Sequence, residues 1–180
     1  MLVNIIGCGS TGANWDGTGN SIGVNDCWKF GKPTGSLLVL NRKDTFTQER
    51  IDVISKSTPT LFYCNLEEWR KPFKDMRLIR TTRWNNAFID QVIYHSKTSP
   101  FCAISLAYNL GYRTMVLWGV DFVDHANYAP GKHGYDQEKL QYHSFIKVLS
   151  AKGAKVFAGS YGSTLELPIY NSNHNVRSHN

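Results

Sequence analysis

Apolar residues in this chain gather into short, nearly unbroken runs set apart by glycines and polar turns. Leu2–Ile6, Ser21–Val24, Ser36–Leu40, Thr60–Cys64, Thr114–Trp118 and Ala154–Ala158 are of this kind, with little of the alternation that marks a strand wetted on one face. Such runs predict strands covered on both sides, as in a parallel sheet. Met76–Arg80 is a weaker strand candidate. Between the runs the period changes. Tyr142, Phe145, Ile146 and Leu149 repeat at i, i+3, i+4, i+7, one face of a helix over Asp136–Lys152, and Thr45–Lys56 carries Phe46, Ile51, Val53 and Ile54 behind the cap candidate Asp44. The clearest helix opens with Ser99 as N-cap and Pro100 at its first position, runs through Leu110 and stops at Gly111; apolar residues surround it, so it is expected to be buried. Asn65 is placed to cap a short helix through Glu67, Glu68 and Trp69, and Thr81–Lys97 reads as irregular structure over the ligand side.

Strands and helices in alternation predict an α/β fold: a single-domain, Rossmann-like three-layer sandwich around a mostly parallel sheet. The domain is expected to span residues 1–168, with 169–180 a C-terminal tail rich in asparagine, serine and histidine. A length of 180 residues suits one domain with a substantial core, and 42% hydrophobic content is that of a globular chain. No apolar run approaches the roughly 20 residues that span a bilayer, and no basic stretch precedes the first apolar run, so the expected location is cytoplasmic. Cys8, Cys27, Cys64 and Cys102 form no C-x-x-C pair, against a zinc ribbon or dithiol site; Cys64 and Cys102 read as small buried hydrophobes, Cys8 as a small residue fitting its loop. The net charge of +6 favours anionic partners. Arg70, Lys71, Lys74, Arg77, Arg80 and Arg83 concentrate part of it, a patch suited to nucleic acid, anionic lipid or phosphorylated substrate, or to a merely solvated face; nucleic acid is the weaker reading.

Candidate chemistry begins where the first strand breaks into Gly7-Cys8-Gly9-Ser10-Thr11-Gly12. Glycines allow positive φ and close ligand approach, and free N–H groups and hydroxyls donate to phosphate oxygens. The loop matches G-x-G-x-x-G, but a dinucleotide unit needs a helix before its second strand, and Trp15–Asn20 is poor helix material. A mononucleotide or nucleotide-sugar loop, a purely structural glycine turn and NAD binding remain as readings, in that order. Asn25 and Asn41 each follow a strand, at the end where open α/β sheets bind ligands.

Taken in order, the Gly7–Thr11 loop, Val24-Asn25, Leu40-Asn41, Thr98-Ser99 before the buried helix, Leu110-Gly111-Tyr112 and Leu117–Phe122 resemble the nucleotide-binding framework of bacterial CMP-sialic-acid-dependent sialyltransferases. A related glycine-loop framework occurs in 6-hydroxymethylpterin pyrophosphokinase-like proteins. The resemblance covers most of the chain. It implies a nucleotide site on Cys8, Gly9, Ser10, Thr11, Asn25, Asn41, Thr98, Ser99, Gly119 and Asp121, with Tyr128 binding the departing phosphate and His133 acting as base. It departs from the family in three places: Gly9-Ser10-Thr11 replaces the usual Gly-Pro-Ser, Pro100 replaces a glycine, and the segment after Phe122 is shorter than the family's acceptor-covering lid.

The implied activity is inverting transfer of a sugar from a CMP-type donor, with a glycan as acceptor. No Asp-x-Asp is present to hold a metal-bridged diphosphate, Asp121-x-x-Asp124 being the nearest approach, and a donor with one phosphate requires none. No cofactor or metal is therefore expected. The alternatives are pyrophosphokinase-like chemistry, which would bring magnesium to Asp121 or Asp124, and a non-catalytic nucleotide-binding protein.

Overall fold

The computed structural model describes residues 1–71, 73, 75–122 and 135–171. Its strands are β1 (Leu2–Ile6), β2 (Ser21–Val24), β3 (Ser36–Val39), β4 (Leu61–Cys64), β5 (Met76–Leu78), β6 (Thr81–Arg83), β7 (Ile93–His95), β8 (Thr114–Trp118) and β9 (Lys155–Ala158), and its α-helices are α1 (Gln48–Lys56), α2 (Ser99–Asn109) and α3 (Tyr135–Ala151). Seven strands form one sheet in the order β5-β4-β3-β2-β1-β8-β9, and every pairing in it is parallel.

Alternate residues of each strand supply two separate cores, which is why the strand sequences are apolar throughout. Val3, Ile5, Ile22, Val24, Leu38, Met115 and Leu117 face α2 and α3; Ile6, Leu37, Val39, Phe62 and Cys64 face the other way, toward Ile54 of α1 with Trp15 and Trp69. The three-layer α/β architecture is thus as expected. Asn4 is the polar exception among the strand interiors: its Oδ1 accepts from the Trp118 indole N–H at 3.0 Å and its Nδ2 donates to Thr18 O at 3.2 Å.

Two boundaries shift for identifiable reasons. The N-cap of α2 is Thr98, so Ser99 is the first helical residue and Pro100 the second, where a missing N–H still costs nothing. The helix ends with Gly111 at φ +90°, with Tyr112 N–H donating to Ala107 O and Gly111 N–H to Tyr108 O, the paired bonds of a Schellman stop. Asp44 does not cap α1; it pairs with Arg42 at 3.0 Å, and Thr47 is the cap residue. The larger difference is in Thr81–Lys97. Residues there form β6 and β7, a separate parallel pair, and bury Trp84 and Tyr94 against Phe145 of α3. Three-residue strands carry too little periodicity to be read locally.

Pro168–Tyr170 runs beside the end of β9, with Ala158 N–H donating to Pro168 O and Tyr170 N–H to Ala158 O. The chain is therefore tied to the sheet edge through Tyr170. Among the described residues no helix is long and apolar enough to cross a membrane.

Candidate functional site

From β1 the chain continues to β2 on one side, while β8 lies on the other, so β1 and β8 flank the switch point of the sheet, whose carboxyl end opens a crevice in such folds. The two loops that leave these strands lie against each other. Gly7 N–H donates to Trp118 O at 2.6 Å and Gly9 N–H to Gly119 O at 2.9 Å. A Cβ on Gly7 would stand 2.2 Å from Gly119 O, and one on Gly9 2.4 Å from Asp121 Oδ2. These glycines are required by the approach of one loop to the other, whatever a ligand does there. The loop continues into a single 3₁₀ helix, Ser10–Asn14, in place of the α-helix a dinucleotide motif opens.

Asp121, buried, holds the glycine loop. Its carboxylate accepts from Thr11 N–H at 2.9 Å, from the Thr11 hydroxyl and from Ser10 Oγ at 3.4 Å, and Thr11 Oγ1 in turn accepts from Gly119 N–H at 2.9 Å. Ser10 and Thr11 stand behind the pocket wall rather than on it, engaged with Asp121.

Across the crevice the sheet edge presents a polar chain. Asn25 follows β2 at φ +50°, a left-handed conformation that asparagine tolerates, and this turns its side chain toward α2. Its Nδ2 donates to Ser99 Oγ at 3.3 Å, and Ser99 donates onward to Asn41 Oδ1 at 3.2 Å. Ser99 is available for this because it lies inside the helix. Asn25 Oδ1 is buried with no hydrogen-bond donor among the described residues.

On the α3 side, Glu138 is a carboxylate only 2% exposed. It accepts from Thr98 Oγ1 at 3.1 Å, from Lys97 N–H at 3.4 Å and from Ser96 Oγ, and Thr98 shares a 2.7 Å hydrogen bond with Tyr142 OH. Burial pushes the Tyr142 hydroxyl well above its usual pKa, so it is a neutral donor or acceptor at physiological pH. Phe122, at φ +53°, packs edge-on to Tyr135 and Tyr142.

Beneath the loop, Arg50 of α1 reaches Asp26 with two hydrogen bonds, 2.9 Å from Nε and 2.6 Å from Nη2. Burial works to raise the Asp26 pKa, but the Arg50 hydrogen bonds and charge outweigh it and hold the carboxyl below its usual value. Cys8 donates to Val24 O at 3.3 Å and to Asp26 Oδ1 at 3.4 Å; desolvation first, then the Asp26 charge, push its thiol well above the ordinary range. It is a protonated, inert group. Burial raises Cys27 and Cys102 to about 12 and Cys64 to about 11.

These groups enclose a cavity of about 320 Å³, within the size range of small-molecule sites. Cys8, Gly9, Asn25, Asn41, Thr98, Ser99, Gly119 and Asp121 all line it, so eight of the ten residues expected to bind nucleotide converge on one space. Arg50, Lys97, Tyr135, Glu138 and Tyr142 line it too and were not anticipated. Glu138 carried a signal: it lies four residues before Tyr142 on the apolar stripe of α3, where a carboxylate needs partners. Tyr128 and His133, with His125 and Asp124, lie outside the described residues. The described chain stops at Phe122 and resumes at Tyr135, both on the cavity wall. Among the described residues no group of His, Cys, Asp or Glu is arranged to hold a metal ion.

No family model and no curated protein matches the chain in sequence. Solved structures do match in fold. The sialyltransferase CstII from Campylobacter jejuni, in complex with the substrate analogue cytidine-5'-monophosphate, superposes with a TM-score of 0.59 at 13% identity, over 94% of this chain and 85% of that one. The sialyltransferase CST-II in complex with a trisaccharide acceptor and CMP gives 0.57 at 14%, over 99% and 89%. The monofunctional alpha-2,3-sialyltransferase Cst-I from Campylobacter jejuni gives 0.56 at 12%, over 93% and 79%. At such identities the likeness is one of fold. The pterin pyrophosphokinase-like resemblance finds no support among these neighbours.

Proposed function

We propose that this chain is a glycosyltransferase of sialyltransferase type, which takes its sugar from a CMP-activated donor and inverts the anomeric carbon without a metal ion. The observation that carries the reading is the Asn25–Ser99–Asn41 chain on the wall of the switch-point cavity, with a buried amide oxygen that has no donor among the described residues. An unsatisfied buried acceptor is costly, and the amine of a cytosine or a ribose hydroxyl supplies the missing hydrogen bond. The neighbours' fold, solved with CMP in one case and with CMP and an acceptor in another, supports the same reading. Asp121, which diphosphate chemistry would need for magnesium, already accepts from Thr11 and Ser10.

In the reaction the acceptor hydroxyl oxygen bonds to the anomeric carbon as the bond from that carbon to the phosphate oxygen breaks, its electron pair leaving with CMP. We assign the acceptor's proton to His133, whose unperturbed pKa of about 6.5 suits a base at neutral pH. Tyr128 donates to the leaving phosphate, and Lys97 on the cavity wall adds positive charge where negative charge develops.

Thermal shift against CMP, CDP, UDP, GDP, ATP and NAD, with and without EDTA, tests this reading. Cytidine nucleotides should raise Tm selectively and independently of EDTA, by the equivalent of about 2.7 kcal/mol at a hundredfold excess over Kd. Ser99→Ala releases Asn25 and Asn41 from the hydrogen bonds that hold them toward the cavity, and should weaken CMP roughly tenfold through that lost positioning. Selective ATP stabilisation that EDTA abolishes would replace the proposal with diphosphate chemistry.

A further inference from the structure

The first turn of α2 lacks a bond that helices usually make. Thr98 is the N-cap residue, yet its hydroxyl caps nothing and is engaged instead with Glu138 Oε1 at 3.1 Å and Tyr142 OH at 2.7 Å. A threonine at this position ordinarily accepts from the N–H of the second or third helical residue, so another demand holds the hydroxyl here. Glu138 makes it. This residue comes from the first turn of α3 and stands, with Lys97, in the wall shared by the first cavity and a second one of about 410 Å³.

Hydrogen-bond bookkeeping fixes the direction of each bond. The Ser96 hydroxyl, the Thr98 hydroxyl and the Lys97 N–H converge on the buried Glu138, and no cation pairs with it among the described residues; Lys97 reaches it through its backbone N–H, so the ammonium does not neutralise the carboxylate. A carboxylate so held is an acceptor only. Thr98 has one hydroxyl proton and gives it to Glu138. The bond to Tyr142 therefore runs the other way, with the phenol, kept protonated by burial, donating to Thr98. The order from Tyr142 to Thr98 to Glu138 leaves the threonine oxygen with no proton to offer and one lone pair unused. All three residues line the first cavity, so this part of its wall accepts hydrogen bonds and carries negative charge.

We propose that Glu138 is a positioning residue, which fixes Thr98 as the acceptor for a hydroxyl or amine of the nucleoside and keeps the nucleotide's phosphate away from this stretch of wall. The inference rests on the nucleotide reading of the first cavity and assigns which part of the ligand lies against the start of α2. A phosphate is bound by donors, and Thr98 has none left; the charge of Glu138 repels it besides. A ribose hydroxyl and the cytosine amine are both donors of the required kind, and the experiment separates them.

Calorimetric titration on the full chain compares cytidine with CMP on wild type, Thr98→Val, Thr98→Ser, Glu138→Gln and the double variant of Glu138→Gln with Thr98→Val. Thr98→Val should weaken cytidine and CMP by the same factor, roughly fivefold for one hydrogen bond, and Thr98→Ser should restore both. Glu138→Gln should weaken cytidine, do so no further in the Thr98→Val background, and raise the ratio of CMP to cytidine affinity, since the charge that repels the phosphate is gone. Uridine, which lacks the amine, identifies the donor: a Thr98→Val loss shared by uridine assigns a ribose hydroxyl, one confined to cytidine assigns the amine, and the proposal stands on either. A Thr98→Val loss with CMP but not with cytidine would put the phosphate at Thr98 and overturn the proposal, as would unchanged affinities in both single variants or additive losses in the double one. If Glu138→Gln fails to fold, the Thr98→Val and Thr98→Ser pair decides alone. Wild type that binds neither cytidine nor CMP fails the nucleotide reading and takes this assignment with it, whereas binding that no variant alters fails the assignment alone.

Discussion

The carboxylate of Asp26 ties together Cys8 and Arg50, two residues that line the switch-point cavity. It is buried beneath the glycine loop, bonded to Arg50 by two hydrogen bonds, approached by Lys29 at 3.8 Å and reached by the Cys8 thiol. Because its folded pKa lies below the ordinary carboxylate value of about 3.9, it contributes stability in full above that value and loses it as pH falls through the folded pKa. Asp26→Asn should therefore destabilise the protein at pH 7 by about 3 kcal/mol, since it removes the carboxylate that accepts two hydrogen bonds from a largely buried guanidinium, and the gap to wild type should narrow as pH falls through the lowered Asp26 pKa in acid titrations followed by circular dichroism. A constant gap across the whole range would deny the ion pair this role. Cys8 shows the opposite case, a thiol in the glycine loop whose burial and proximity to Asp26 keep it protonated, in line with its reading as a small residue that fits the loop. The sequence places both residues near the site; only their neighbours decide which one is charged.

Elements explain why the glycine loop reads as a nucleotide motif. Its spacing satisfies two loops that meet at the switch point, with Gly9 against Asp121 and Gly12 with a Cβ position 2.5 Å from Phe30 Cε2. A substitution at Gly9 is thus first a packing defect. Gly9→Ala should cost about 1–3 kcal/mol in denaturant melts and displace Asp121 from Thr11, so weakened nucleotide binding in that variant would not by itself identify a contact. Wild-type stability in Gly9→Ala would mean that the two loops have room to part. Helix α2 was legible to within one residue, its proline and its glycine stop being local signals. That one residue matters, because it moves Ser99 from a capping role to the centre of the Asn25–Ser99–Asn41 chain. The β6–β7 pair was not legible: strands of three residues acquire their identity from partnering each other and from the aromatic cluster of Trp84, Tyr94 and Phe145 beneath them.

For the whole molecule, the parallel sheet gathers residues more than a hundred positions apart, Ser10 and Thr11 with Asp121, at one end of the strands. The proposed base, His133, belongs to the segment that joins Phe122 to Tyr135, both on the cavity wall. If His133 is the base, His133→Ala should lower turnover roughly 10²–10⁴-fold with CMP affinity unchanged, and the wild-type rate should fall on the acid side with a histidine pKa. His125→Ala and the exposed His143→Ala are the controls, and full activity in His133→Ala removes the assignment. What the sequence determined by itself was the alternation of doubly buried strands with helices, hence the α/β class, and the polar residues that end those strands, because both follow from local periodicity and from where an apolar run stops. What only the tertiary structure decided was the partnership of those residues: Asp121 as the clamp of the glycine loop, Glu138 and Lys97 as a wall shared by two cavities, Asp26 ionised and Cys8 not. Periodicity reports which face of an element is buried, whereas hydrogen bonding and electrostatics depend on which other element buries it, and that is set by the order of strands in the sheet.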